Sequence, residues 1–138
     1  MLSGIAENSE LTVLMVEAQP EHVQTLKEQL SAWTLYRAPT GWPAAKALDL
    51  DAKDVGLVIV YTRPREEAHA LGVCQDVRQQ TGLDQVPLLV AINRYQMMLG
   101  HDVRKLPWAD FVFVPLERDS LIEKLEDMTA KTSQGSGD

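Results

Sequence analysis

The sequence predicts an α/β protein built on a parallel five-stranded sheet with helices on both faces. Two observations carry this prediction. Short apolar runs alternate with stretches of helical periodicity, and such alternation is typical of parallel sheets whose crossover helices cover both faces. The apolar runs are also nearly continuous in Val, Leu, Ile and Phe, as expected for strands that are buried on both sides.

Five segments are predicted as strands, of which the second is the weakest. They are residues 11–16, 34–38, 56–61, 87–92 and 111–114. Strands in this rhythm favour the flavodoxin-like order 2-1-3-4-5, in which the functional crevice lies at the carboxyl ends of strands 1 and 3.

The intervening stretches carry apolar residues at helical spacing. The clearest groups are Val23, Leu26 and Leu30; Ala70, Val73, Cys74 and Val77; and Leu121, Ile122, Leu125 and Met128. Pro20 stands where the first helix could begin, and Gly82 where the helix before strand 4 would end. Cys74 lies on the apolar face of its helix, which favours a small core residue over a reactive thiol.

Length and composition indicate one globular domain. The chain has 138 residues, and we expect a lead at 1–10, the domain at 11–131 and a flexible tail at 132–138, which offers nothing apolar to offset its ordering entropy. The net charge of −7 argues against broad binding of nucleic acid or anionic membranes. The single cysteine and the lack of a signal-peptide pattern favour a cytoplasmic protein.

Four segments carry prolines near the strand ends. Residues 16–20 read Val-Glu-Ala-Gln-Pro, residues 57–64 Leu-Val-Ile-Val-Tyr-Thr-Arg-Pro, residues 86–93 Val-Pro-Leu-Leu-Val-Ala-Ile-Asn, and residues 109–116 Ala-Asp-Phe-Val-Phe-Val-Pro-Leu. Over roughly residues 11–128, this pattern resembles the receiver domain of two-component response regulators. The resemblance implies an acidic pair after strand 1, a phospho-accepting aspartate ending strand 3, Thr or Ser ending strand 4, and Lys before a cis proline after strand 5.

Most of those chemical residues are replaced. The corresponding positions are Glu17 and Ala18 for the acidic pair, Val60 or, one residue along, Tyr61 for the acceptor, Ile92 beside Asn93 for the hydroxyl, and Val114 for the lysine. Neither valine nor tyrosine can form an acyl phosphate, and Mg²⁺ needs several oxygen ligands. We therefore predict a degenerate phosphorylation site without metal or cofactor, and a cis Val114-Pro115 bond. Glu17 is either a remnant metal ligand or a carboxylate that pairs with a cation or faces solvent.

Three arginines follow strands 3 and 4, near the edge that holds Glu17. Arg63, Arg65 and Arg94 could bind an anion or an acidic partner, because guanidinium groups suit carboxylate and phosphate. The alternative is that they are solvated loop residues, one of them paired with Glu17. The histidines, at positions 22, 69 and 101, lie in separate segments and show no zinc-site spacing.

Large side chains are concentrated around the helix between strands 4 and 5. They are Tyr95, Met97, Met98, Leu99 and Trp108, followed by Phe111 in strand 5. The resemblance implies that this helix, strand 5 and the helix after it form a face for dimerisation and output contacts. Aromatic residues and methionine are favoured at interface centres. The alternative is that several of these residues close the core.

These features predict a receiver-like module that acts by phosphorylation-independent binding of a protein partner or a second copy in a bacterial signalling or regulatory pathway. We predict that it is not an enzyme. One alternative is a small flavodoxin-like enzyme or ligand binder that uses the strand-end crevice. Another is a receiver phosphorylated at an unusual side chain.

Overall fold

Five parallel strands form a sheet in the order β2-β1-β3-β4-β5. The strands are β1 (Thr12–Val16), β2 (Thr34–Ala38), β3 (Leu57–Tyr61), β4 (Leu88–Ile92) and β5 (Ala109–Phe113). The computed structural model describes residues 11–38, 55–79, 83 and 85–136. The predicted fold class and the predicted strand order are confirmed.

The strand β5 begins earlier than predicted. Its pairing with β4 aligns Leu88 with Ala109 and Ile92 with Phe113, whereas the apolar run predicted a strand at 111–114. The polar residue Asp110 immediately precedes that run, yet it is only 5% exposed. Its carboxylate lies 3.5 Å from Arg104 Nε and 3.3 Å from Lys124 Nζ, so the strand buries a charged group that is paired.

Four helices are described. They are α1 (Pro20–Gln29), α2 (Glu67–Arg78), α3 (Met97–Val103) and α4 (Arg118–Ser136), and a 3-10 turn, Arg94–Gln96, precedes α3. Pro20 opens α1 as predicted. The helix predicted between β2 and β3, and the helix stop predicted at Gly82, lie outside the described residues.

The helix α4 runs further than predicted. It ends at Ser136, whereas the sequence predicts a flexible tail from residue 132. The small and polar residues there give no helical signal, but each residue added to a nucleated helix gains a hydrogen bond. The other domain boundaries remain predictions.

Two apolar layers cover the sheet because side chains alternate between its faces. On one face, Val58, Val60 and Val90 pack with residues of α2 and α3, including the buried Cys74. On the other face, the strands pack against α1 and α4. The Val114-Pro115 bond is cis, as predicted. Within the described residues, every helix is too short or too polar to cross a membrane.

Candidate functional site

The carboxyl ends of the parallel strands meet at one edge of the sheet, and Glu17 lies there directly after β1. Its backbone adopts a left-handed conformation, with φ of 62°, and its N–H donates to Ala38 O at 2.7 Å. The side chain is only 8% exposed. Its carboxylate lies 3.3 Å from His69 Nε2. The partner of the Glu17 carboxylate is therefore a histidine. The sequence analysis had left three alternatives for it, namely a metal ion, an arginine or solvent.

The strand β3 brings an apolar valine and a tyrosine to the acceptor position. Val60 pairs with Val16 of β1 and is wholly buried in the layer under α2. Tyr61 ends the strand and faces the other layer. Which of the two residues occupies the acceptor position remains a prediction. Neither side chain offers a carboxylate.

The ends of β4 and β5 complete the edge without a hydroxyl or a cation at the expected positions. Ile92 ends β4 and is wholly buried. The N–H of Val114 donates to Ile92 O at 2.9 Å, so the position of the family's lysine lies beside Ile92. Within the described part of the chain, no three His, Cys, Asp or Glu residues are grouped to hold a metal ion.

A stacked pair of rings lies at the same edge, which the sequence patterns did not predict. The rings of His22 and Tyr61 have centroids 4.1 Å apart and planes 10° apart. The N–H of Gln19 donates to His22 Nδ1 at 3.0 Å, and this bond satisfies one of the free N–H groups at the start of α1. Burial lowers the pKa of the His22 imidazole, partly offset by the nearby Glu21 carboxylate.

A cavity of about 310 Å³ adjoins this ring pair. Its lining includes His22, Tyr61 and Thr62 together with residues 114–116. The same three residues, 114–116, also line a second cavity of about 460 Å³ beside β5. A short loop therefore separates the two cavities.

The described contacts of the three arginines predicted to share one site differ from one another. The guanidinium of Arg94 lies over the Phe113 ring, 4.5 Å from its centroid. Arg65 is exposed and lines a groove between α2 and α3. The carbonyl of Arg63 accepts a hydrogen bond from Gln96 at 3.4 Å. An anion site formed by all three has no described contact in its favour and remains a prediction.

The predicted interface residues divide into several groups. Tyr95 and Met98, 71% and 84% exposed, line the groove between α2 and α3. Met97 and Leu99 pack against the core layer, as the alternative interpretation expected. Trp108 precedes β5, and its carbonyl accepts the N–H of Leu88, the first residue of β4. Trp108 therefore lies at the amino end of the strands, away from the turn that holds Tyr95.

Phe111 belongs to a separate group along β5, which we call the β5 surface and define as Arg94, Phe111, Phe113 and Lys124. Phe111 and Phe113 make an edge-to-face contact, with centroids 5.6 Å apart. Lys124 Nζ lies 5.5 Å from the centroid of Phe111, so each phenyl ring carries a cation over it. All four residues line the cavity beside β5.

Solved structures with a similar fold are receiver domains. A receiver domain protein from Clostridium thermocellum aligns at a TM-score of 0.67 with 8% sequence identity, covering 90% of this chain and 98% of that one. The chemotaxis protein CheY4 of Vibrio cholerae aligns at 0.63 with 17% identity, covering 87% and 99%. The receiver domain of a histidine kinase from Syntrophus aciditrophicus aligns at 0.63 with 19% identity, covering 87% and 90%.

These similarities establish the receiver fold for this chain. No model of a known protein family matches the sequence, and no curated protein does. A shared fold hosts many functions, so the function rests on the residues at the strand ends and on the exposed surfaces.

Proposed function

We propose that this chain is a receiver-like signalling module of the bacterial cytoplasm that works by protein–protein contact without aspartyl phosphorylation. The observation that carries the proposal is that β3 ends in Val60 and Tyr61, so neither candidate for the acceptor position offers a carboxylate. Acyl phosphate formation needs a carboxylate at that place. Ile92 and Val114 support the same conclusion, because an isoleucine and a valine cannot stabilise the charge of a phosphoryl group.

The test is incubation with acetyl phosphate and Mg²⁺, followed by intact-mass measurement. We expect no added phosphoryl group, while a receiver domain that keeps its acceptor aspartate gains one under the same conditions. A stoichiometric mass gain that maps to one side chain would contradict the proposal. It would instead favour a receiver phosphorylated at an unusual residue.

The surface that best suits a partner is the β5 surface. Phe111 and Phe113 are both half-buried, and aromatic and arginine side chains are the residue types that most often dominate binding energy. The cations Arg94 and Lys124 lie over these rings, although the whole chain has a net charge of −7. Lys124 is already paired with Asp110, 3.3 Å away, so Arg94 is the unshared cation of the four residues in the described part of the chain. Arg94 beside the two rings suits a partner that presents a carboxylate, because complementary charges favour encounter.

Pull-down from cell extract with matched variants tests this surface. Arg94→Ala and Phe113→Ala are expected to lose a protein that the wild type retains. Met98→Ala serves as the control, because Met98 is exposed on the groove between α2 and α3. Equal loss in all three variants, or loss in Met98→Ala alone, would contradict the assignment of the β5 surface.

A second copy of the chain is the competing occupant of this surface. Sedimentation velocity of the pure chain separates the two cases. The fraction of a homodimer rises with protein concentration, whereas a complex with an acidic partner cannot form when that partner is absent. We expect a monomer at micromolar concentration. A dimer that Phe113→Ala dissociates would replace the acidic partner with a second copy.

A further inference from the structure

The cavity beside the stacked rings has the features of a small-molecule site. Its volume of about 310 Å³ lies at the lower end of the usual range for such sites. It opens where α1 meets the carboxyl ends of the strands, the region in which open α/β sheets usually bind ligands. None of the described residues that line it is Asp, Glu, Lys or Arg.

A buried tyrosine lines this cavity. Tyr61 is only 5% exposed, and its phenol can donate a hydrogen bond to an occupant of the cavity. Burial raises the pKa of the Tyr61 phenol, so the group stays protonated and able to donate. The adjacent Thr62 hydroxyl is buried and has no hydrogen-bond partner among the described residues. A buried hydroxyl left unpaired is unfavourable, and a ligand that accepts from it would remove that penalty.

His22 adds an uncharged aromatic wall. Its Nδ1 accepts the N–H of Gln19, so the ring proton is assigned to Nε2. Burial lowers the pKa of this imidazole, which favours the neutral ring at pH 7. The apolar residues Val114 and Leu116 also line the cavity, which therefore presents apolar surface and hydrogen-bond donors but no charge.

We propose that this cavity binds a small uncharged molecule with an apolar body and a carbonyl oxygen that accepts a hydrogen bond from Tyr61. A charged ligand is disfavoured because burying an ion without a paired opposite charge is costly. The site goes beyond the proposed function, since ligand binding here requires neither phosphorylation nor a protein partner. Its test uses the isolated chain and therefore fails or succeeds independently of the pull-down.

The experiment is a titration of the ¹⁵N-labelled chain followed by two-dimensional amide spectra. The probes are acetophenone, ethylbenzene, which has the same shape without the carbonyl, and benzoate, which is charged. We expect saturable shifts at the amides of Thr62, Asn93 and Leu116 with acetophenone. Ethylbenzene is expected to bind about five to ten times more weakly, the difference expected from one hydrogen bond. Benzoate is expected to give no saturable shift, because burying its unpaired charge costs far more than one hydrogen bond.

Two tyrosine variants make the test specific. Tyr61→Phe is expected to bind acetophenone about five to ten times more weakly than the wild type while its affinity for ethylbenzene stays the same. Tyr36→Phe, in β2, is the matched control and should change neither. Equal affinity of the wild type for acetophenone and ethylbenzene, or no saturable shift at the cavity amides, overturns the proposal. This wild-type comparison decides the question even if Tyr61→Phe fails to fold.

Discussion

Two helical glycines should respond in opposite directions to the same substitution. A Cβ added at Gly100 in α3 would lie 2.8 Å and 2.9 Å from two ring carbons of Phe111 and 3.1 Å from Ile92 Cδ1. A Cβ added at Gly72 in α2 would meet nothing within 4 Å. Gly100→Ala therefore tests close packing at the β5 surface, and Gly72→Ala measures helix propensity alone.

The magnitudes follow from two opposing effects. Replacing glycine by alanine in a helix interior stabilises by about 1 kcal/mol. Overpacking costs about 1–3 kcal/mol, and we place Gly100→Ala near the upper end because Phe111 is itself held against Phe113. The net expectation is a loss of about 2 kcal/mol for Gly100→Ala and a gain of about 1 kcal/mol for Gly72→Ala. The two Tm values should move apart by about 10 °C.

Urea unfolding followed by circular dichroism measures both free energies. The Phe111→Ala background provides the decisive comparison, because removing the ring removes the collision. In that background Gly100→Ala should become stabilising, so the coupling between the two sites should be about 3 kcal/mol. A Gly100→Ala protein as stable as the wild type, or an unchanged loss in the Phe111→Ala background, would refute the reasoning.

Three further predictions concern buried titratable groups. Because the pKa of His22 is lowered on folding, stability should fall as the pH drops below the unfolded value of about 6.5, and urea titrations of His22→Gln should show a flatter pH dependence. Asp110→Asn should cost about 1–3 kcal/mol, since Arg104 and Lys124 lose the buried carboxylate, whereas Asp102→Asn, at an exposed pair with Lys105, should cost under about 0.5 kcal/mol by the same assay. Burial raises the pKa of the Cys74 thiol to about 12, so iodoacetamide at pH 8 should alkylate it only after denaturation, as read by mass.

The sequence predicts the sheet well because its strands are buried on both faces. The runs that became β1, β3 and β4 consist almost wholly of apolar residues, so neither helical periodicity nor alternation competes with that interpretation. The start of β5 was predicted less accurately, because a charged residue that is buried in a pair cannot be told from an exposed one in the sequence. Asp110 looks like a surface residue until Arg104 and Lys124 are seen beside it.

The candidate site was only partly predictable for a different reason. The positions of Glu17, Ile92 and Val114 follow from strand ends, which sequence patterns locate. The contacts Glu17–His69 and His22–Tyr61 join residues far apart in the chain, and no periodicity links them. The division of the predicted interface residues has a different origin, because consecutive residues of a helix lie on different sides of it, and Met98 is exposed while its neighbour Leu99 is buried.

The loop formed by residues 114–116 borders both the ring-lined cavity and the cavity of the β5 surface. Any shift of this loop alters the shape of both cavities at once. Thermodynamic linkage makes such an effect mutual. If a molecule bound in one cavity changes the affinity of the other cavity by some factor, a molecule bound in the other cavity changes the affinity of the first by the same factor. If the uncharged ligand and the protein partner bind as proposed, these three residues are the segment through which binding at one site would change affinity at the other.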